Sequence, residues 1–444
     1  MAEPLNVLTL NCWGLKYLAK YRAERLAQIG AELAHADPQP DIVGLQECWT
    51  QKDYLAIRKQ TQHFLPYGKF YFSGVFGGGL AILSRWPIDE SSMVQYPLNG
   101  RPTAFFRGDW FVGKGVACAT IKMQDRDGRR GRTIQVFCTH LHAPYEREPN
   151  DSYLCHRTAQ AWEIAKLMRR ARVAGNLVLA LGDFNMVPLS LAHQLITTHS
   201  HAVDAWRELH PSSSLGAALD AVERVRDLPI PSAAYNITEN GATCDSVLNT
   251  WRWNKSDQKK LFSGTDRQIH GETPDPRAKR LDYVFVGDAR GEWQVAKAKV
   301  GMRMRHPELR VSLSDHFSVE VTIEPQEGTG PTVVDDEPEK FLPVETYDRI
   351  LHVTEQYTAR QRFQRRARLG HFGGQLVVWI GCLTAVWWSP RNFVSFILML
   401  VSGLGLTAGV IDGLIGGLFV SAELRALKEF RWEIENARDM AKGK

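Results

Sequence analysis

From Phe372 to Val420 almost every residue is apolar or glycine, in two runs, Phe372–Trp388 and Phe393–Val420, divided by Ser389-Pro390-Arg391-Asn392. A helix that crosses a bilayer needs about 17–25 such residues, because its backbone must satisfy its own polar groups where there is no water. The first run sits near the lower end of that range. The second exceeds it and contains one acid, Asp412. Two adjacent runs of this kind predict a transmembrane helical hairpin rather than a buried pair in a soluble core. Trp379, Trp387 and Trp388 suit an interfacial belt, and basic residues lie before the first run and after the second. That asymmetry places both termini, and everything before the hairpin, on the cytosolic side. Gly405, Gly409, Gly413 and Gly417 recur every fourth residue and give the second helix one smooth face. Either the first helix or a second copy of the chain, as a homodimer, fits such a face.

The rest of the chain has ordinary globular composition, with 44% hydrophobic and 23% charged residues overall and a net charge of +5. This excludes a disordered chain or a collagen-like one, and the charge is too small to name a nucleic-acid partner. Seven cysteines without a CxxC pair argue for reduced thiols and against a zinc finger. The opening residues lack a basic n-region and read as a strand. Residues 324–343 are acidic and Pro-rich, as a linker is. Beyond them Arg360, Arg362, Arg365, Arg366 and Arg368 lie on a predicted helix with no acid among them. A cluster of that sort just outside a span attracts anionic phospholipid. The expected order is therefore a domain over 1–324, a linker over 325–343, a basic juxtamembrane helix over 344–371, two spans over 372–420 and a polar cytosolic tail over 421–444.

Within 1–324, short apolar runs (LNVLTLN, DIVGLQE, GLAILSR, TIQVFCTHLHA, NLVLALGDFN) recur among helical segments at Arg22–Ala36 and Tyr153–Ala174, with a hairpin turn at Asp127-Gly128. This pattern predicts an α/β fold of two packed mixed sheets flanked by helices, a four-layer sandwich. The stretch 211–278 is polar and loop-rich. Asn11, Glu47, His140, Asp183, Asn185, Asp282, Asp315 and His316 stand at or beside the ends of the apolar runs. Singly each has an ordinary reading, as a turn residue, an edge charge or a core histidine. Together they match what hydrolysis of a phosphodiester needs. A hard cation such as Mg²⁺ takes one or two carboxylates with amide oxygens, supplied here by Glu47 and Asn11. Two histidines, each beside a carboxylate, serve as base and acid for water attack on phosphorus. Cys12 and Cys48 read as packing.

LNCWG, GLQECW, GDWFVGKG, THLHAPY, GDFN, LDYVFV and SDH, in this order, resemble the endonuclease/exonuclease/phosphatase superfamily. In detail they resemble its branch of neutral sphingomyelinases and fungal inositol phosphosphingolipid phospholipases C. The resemblance covers about residues 5–324, and the hairpin also suits that branch. It implies a Mg²⁺-dependent phospholipase C that releases ceramide from membrane phosphosphingolipid by direct water attack, in the endoplasmic reticulum or mitochondrial membrane. Carried over residue by residue, Glu47 is the main Mg²⁺ ligand, with Asn11 and Asp315 beside it. Asp183 and Asn185 hold water and phosphate, His316 is the general base oriented by Asp282, and His140 meets the phosphoryl charge or the leaving alkoxide. Asp109 and Lys114 correspond to a regulatory switch, and the arginine cluster to a site for anionic phospholipid activator. A DNA endonuclease with the same residues and an inactive membrane scaffold are the alternatives.

Overall fold

The structure, a computed structural model, describes residues 3–124, 130–146, 150–263, 268–326 and 340–443. The expected Asp127-Gly128 turn and residues 327–339 of the linker lie outside the described residues. The chain groups into two compact units, residues 1–96, 111–153 and 157–342 in one, and 97–110, 154–156 and 343–444 in the other. The second thus takes in two short segments of the expected 1–324 domain as well as the C-terminal helices.

The order of elements is β1 (Leu5–Asn11), α1 (Arg22–His35), β2 (Ile42–Gln46), α2 (Gln51–Thr61), β3 (Tyr67–Tyr71), β4 (Leu80–Ser84), β5 (Ile88–Gln95), α3 (Asp109–Val112), β6 (Gly115–Gln124), β7 (Arg130–His140), α4 (Leu154–Val173) and β8 (Leu177–Asp183). Then follow α5 (Leu191–Ser200), β9 (Val203–Asp204), α6 (Ala205–Leu209), α7 (Ala221–Arg224), α8 (Ala233–Thr238), α9 (Lys255–Ser263), β10 (Asp282–Asp288), β11 (Trp293–Gly301) and β12 (Ser318–Pro325). The stretch without a sequence assignment, 211–278, therefore carries short helices between loops.

The strands form two six-stranded mixed sheets, ordered β11-β12-β1-β2-β4-β3 and β5-β6-β7-β8-β10-β9. The apolar runs are continuous because the central strands are buried on both faces. In β8, Leu177, Leu179 and Leu181 join the core between the sheets, while Val178 and Ala180 pack outward with Ala161, Ile164 and Met168 of α4. In β1, Leu5 and Val7 face the inter-sheet core, and Leu8 and Leu10 face Leu26, Ile29 and Leu33 of α1. Helix, sheet, sheet, helix is the four-layer sandwich expected.

Parallel pairing of β1 with β2 sets Asn11 beside Gln46, one residue before Glu47, and parallel pairing of β7 with β8 sets His140 beside Asp183. The antiparallel partner β10 starts at that same end, with Asp282 opposite Asp183. β12 runs antiparallel to β1, so the turn before it, with Asp315 and His316, returns to Asn11. One end of the two sheets thereby collects Asn11, Glu47, His140, Asp183, Asp282, Asp315 and His316, drawn from 300 positions of chain.

In the second unit α10 (Val344–Val386) is one helix, so the basic stretch and the first apolar run are continuous; α11 (Asn392–Leu414) runs through a π-helical turn at Ile415–Phe419 into α12 (Val420–Lys442). Both long helices contain windows long and apolar enough to cross a membrane. The glycine stripe is used inside the hairpin. A Cβ on Gly405 or Gly409 would meet Gln375 of α10, and one on Gly413 would meet Phe372. Asp412 also turns to α10, pairing with Arg368 and, at 2.8 Å, with Nδ1 of His371. Buried Glu423 of α12 accepts from the Tyr357 hydroxyl at 2.6 Å and lies 3.2 Å from Nε2 of His156. Trp110 packs on Phe419 with ring centroids 4.5 Å apart.

Candidate active site

At the shared strand end Asp183 lies at the centre. It is almost wholly buried, and its Oδ2 accepts from Asn11 Nδ2 at 3.0 Å. The same oxygen lies 3.5 Å from Nε2 of His140 and 3.9 Å from Nε2 of His316. Its other oxygen accepts the backbone N–H of Asn185 at 2.9 Å, a turn in which Asn185 adopts positive φ. Burial raises the Asp183 carboxyl to about 7, against the pull of His316.

His316 and Asp282 form a dyad, with Nδ1 and Oδ2 2.8 Å apart. Burial works against the imidazolium here. Asp282, Cys244 and Asp183 together outweigh it and hold His316 well above the ordinary histidine value. His140 is driven the other way, well below that value, by burial and then by the positive charges of Lys114 and His316. Two histidines on one carboxylate thus have opposite proton affinities, the separation that acid–base chemistry uses. Nδ1 of His140 and Oδ1 of Asp282 have no partner among the described residues.

Asn11 also donates to Glu47 Oε1 at 3.2 Å, and Trp49 Nε1 donates to Oε2 at 3.4 Å. Glu47 has φ of +53°, a conformation that costs a non-glycine residue energy and marks a position held by its surroundings. Burial raises its pKa, and the neighbouring Asp315 adds to this. Two neighbouring half-buried carboxylates beside an amide suit a hard divalent cation. A second set able to hold a metal is Asp183, Asp282 and His316, whose ligand atoms lie within 4.8 Å of one another. The dyad's hydrogen bond already engages Nδ1 of His316 there.

The structure brings together Asn11, Glu47, His140, Asp183, Asn185, Asp282, Asp315 and His316. Lys114 joins them from the side, its Nζ donating to the carbonyls of His140 at 3.4 Å and Leu141 at 3.3 Å. Asp109 opens α3 in the second unit, whereas Lys114 belongs to the first. Of the arginine cluster, Arg368 is engaged by Asp412 and by the Thr103 carbonyl. Sequence reasoning did not single out Ser314. Its hydroxyl donates to the Asn11 carbonyl at 2.6 Å and accepts the His316 N–H at 3.2 Å, joining both halves of the site. Its place beside Asp315-His316 was the only hint.

The sequence pattern of the Endonuclease/Exonuclease/phosphatase family matches residues 8–316, which span the clustered residues from Asn11 to His316. The chain belongs to this family. Among curated proteins, this family member is 39% identical over 442 residues to the inositol phosphosphingolipids phospholipase C of Schizosaccharomyces pombe, covering 99% of the chain and 96% of that protein. It is 33% identical to the Saccharomyces cerevisiae protein of the same name, covering 98% and 90%. The human sphingomyelin phosphodiesterase 2 is 36% identical over 204 residues, 46% of each chain.

Proposed function

We propose that this family member is a Mg²⁺-dependent phospholipase C that hydrolyses phosphosphingolipids to ceramide and a phosphorylated head group, with phosphoinositol favoured over phosphocholine. One observation carries the reading. Similarity to two fungal proteins named inositol phosphosphingolipids phospholipase C runs through the catalytic residues and on through the apolar helices. A hairpin able to enter a membrane suits a lipid substrate better than DNA.

Water lies between Asp183 and Asn185 on one side and the phosphorus on the other. His316 in its neutral form, oriented through Nδ1 by Asp282, takes the water proton at Nε2 as the oxygen bonds to phosphorus. His140, neutral through burial, donates an N–H to the phosphoryl oxygens. As the bond from phosphorus to the ceramide oxygen breaks, that oxygen takes a proton from solvent and ceramide leaves as the alcohol, and His316 returns its proton to solvent to restore the base. No covalent enzyme intermediate forms. Mg²⁺ at Glu47, Asn11 and Asp315 would supply charge stabilisation to the phosphoryl group. Asp109 and Lys114 would regulate the site through the glycine-rich segment that carries them. An anionic phospholipid activator would meet Arg360, Arg362, Arg365, Arg366 and Arg368. In support, Arg362, Arg365 and Arg366 line a concavity of about 680 Å³ with Arg425 and Lys428 of α12. Both termini would be cytosolic, at the endoplasmic reticulum or mitochondrial membrane.

The test is ceramide release by the full chain from detergent-dispersed inositol phosphosphingolipid and sphingomyelin, with and without EDTA. Chelator-sensitive ceramide production is expected. No ceramide from either lipid, alongside cleavage of duplex DNA, would overturn the reading.

A further inference from the structure

Five large apolar side chains of the catalytic unit stand in water on two loops: Tyr17 and Leu18 after β1, and Phe72, Val75 and Phe76 between β3 and β4. They are 87%, 75%, 69%, 74% and 62% exposed, respectively. Scattered exposed apolar residues are ordinary, but these share an anchor. On one side of Glu47, the first loop is tied down by Cys12 N–H to the Gln46 carbonyl at 2.8 Å and Gly14 N–H to the Glu47 carbonyl at 2.9 Å. On the other, Cys48 N–H donates to the Gly79 carbonyl at 3.0 Å. Gly79 approaches so closely that a Cβ there would lie 3.3 Å from the Glu47 Cα. Both loops therefore spring from the backbone around the principal candidate metal ligand.

The second loop is held in shape as well as in place. Val75 and Phe76 N–H groups both donate to the Phe111 carbonyl, at 2.9 and 3.3 Å, and the Ser73 hydroxyl donates to the Gly113 carbonyl at 2.7 Å. Phe76 meets Phe111 edge-on, with centroids 6.0 Å apart. Its aromatic side chains are thus presented to solvent by a braced loop whose seat ends at Lys114. The charges on the two loops are of one sign. Residues 12–21 carry Lys16 and Lys20 and no acid, and residues 72–79 carry no charge. Apolar and aromatic tips with flanking lysines match the water–lipid boundary, where rings sit at head-group level and ammonium groups meet phosphate.

We propose that the Tyr17–Leu18 and Phe72–Phe76 tips insert into a phospholipid bilayer surface, forming a two-sided rim around Glu47 through which one lipid is drawn to the catalytic residues. This rests on the phospholipase reading for its purpose, though insertion can be measured without turnover. Full-length protein carrying Phe76→Cys in a Cys382→Ser background, the other six cysteines being buried, is spin-labelled and reconstituted in phosphatidylcholine vesicles without sphingolipid. The label is expected to be far more accessible to oxygen than to a water-soluble nickel chelate. The same label at Glu90→Cys, exposed on β5 well before its catalytic end, gives the aqueous reference. A label at 76 that behaves like the one at 90 overturns the proposal.

The second arm uses Phe72→Ser/Phe76→Ser and Tyr17→Ser/Leu18→Ser. Each is expected to lower turnover of vesicle substrate at least tenfold while leaving a water-soluble short-chain substrate within twofold. Vesicle activity within twofold in both variants refutes insertion. Equal loss on the soluble substrate also refutes it, since the loops would then be shaping the site. Failure of the unaltered protein on both substrates, with the label at 76 still buried in lipid, would count against the phospholipase reading alone.

Discussion

Replacing Asp282 by Asn keeps size and shape but removes the charge that organises His316. The carboxylate lies 2.8 Å from Nδ1 and is fully buried. A hydrogen bond to a charged group contributes about 1.5–3 kcal/mol, and each 1.36 kcal/mol is roughly tenfold in rate, which gives about 10- to 150-fold from this contact alone. The amide can also donate to Nδ1, which would leave the proton on Nε2 and block it as an acceptor. General base catalysis contributes about 10²–10⁴-fold, so the combined expectation is a kcat lowered by about 10²–10³. KM on detergent-dispersed substrate should change little, because Asp282 does not face the lipid. The pH profile provides a second reading. Asp282 raises the pKa of His316, so its loss lowers that pKa and leaves more of the imidazole neutral at a given pH. The acid limb of kcat should therefore move to lower pH even as the plateau falls. Steady-state ceramide release across pH 5–9, with far-UV circular dichroism as a folding control, measures both. A plateau within fivefold of the parent, or an acid limb displaced upward, would refute the dyad as the base.

Glu47→Ala and His316→Ala should each leave under about 1% of kcat with expression and membrane association intact, measured by ceramide release and flotation. After chelation Mg²⁺ should restore activity and Ca²⁺ should do so poorly, because the smaller ion keeps strict octahedral geometry; equal rates would count against Mg²⁺. Asp204→Asn should destabilise the catalytic unit by about 3–5 kcal/mol in denaturant titration, because it strips the buried Arg280 of its two-oxygen partner at 2.8 and 2.9 Å. Burial opposes the Asp204 charge, but Arg280 and His193 hold its pKa far below the ordinary value. Its contribution is therefore present above that value and is lost as pH falls through and below the usual carboxylate range. Arg362, Arg365, Arg425 and Lys428 changed together to Gln should weaken stimulation by anionic vesicles by about 1 kcal/mol per charge, and the effect should shrink with salt.

What the sequence determined by itself is local. Apolar runs ending in polar residues declare buried strands, since a strand covered on both faces admits no alternation, and β8 is one of these. The helical period of Arg22–His35 and the lengths of the two apolar runs are equally readable, because periodicity and hydropathy belong to short segments. The identities of the site residues were legible in the same way, as side chains at strand ends. Which of them meet was decided by tertiary structure. Asn11 reaches Asp183 across 172 positions, and no local preference encodes that contact. It exists because parallel β1/β2 and β7/β8 end together and β10 enters from the opposite direction. Ser314 was missed for the same reason, as its hydroxyl matters only once β12 returns to Asn11. The glycine stripe could have served a second copy or the first helix, and only the turn at Ser389–Asn392 bringing α11 back along α10 settles it. The opposite proton affinities of His140 and His316 are likewise tertiary. The two imidazoles are the same chemical group and both are buried, and they differ because one faces Lys114 and the other Asp282.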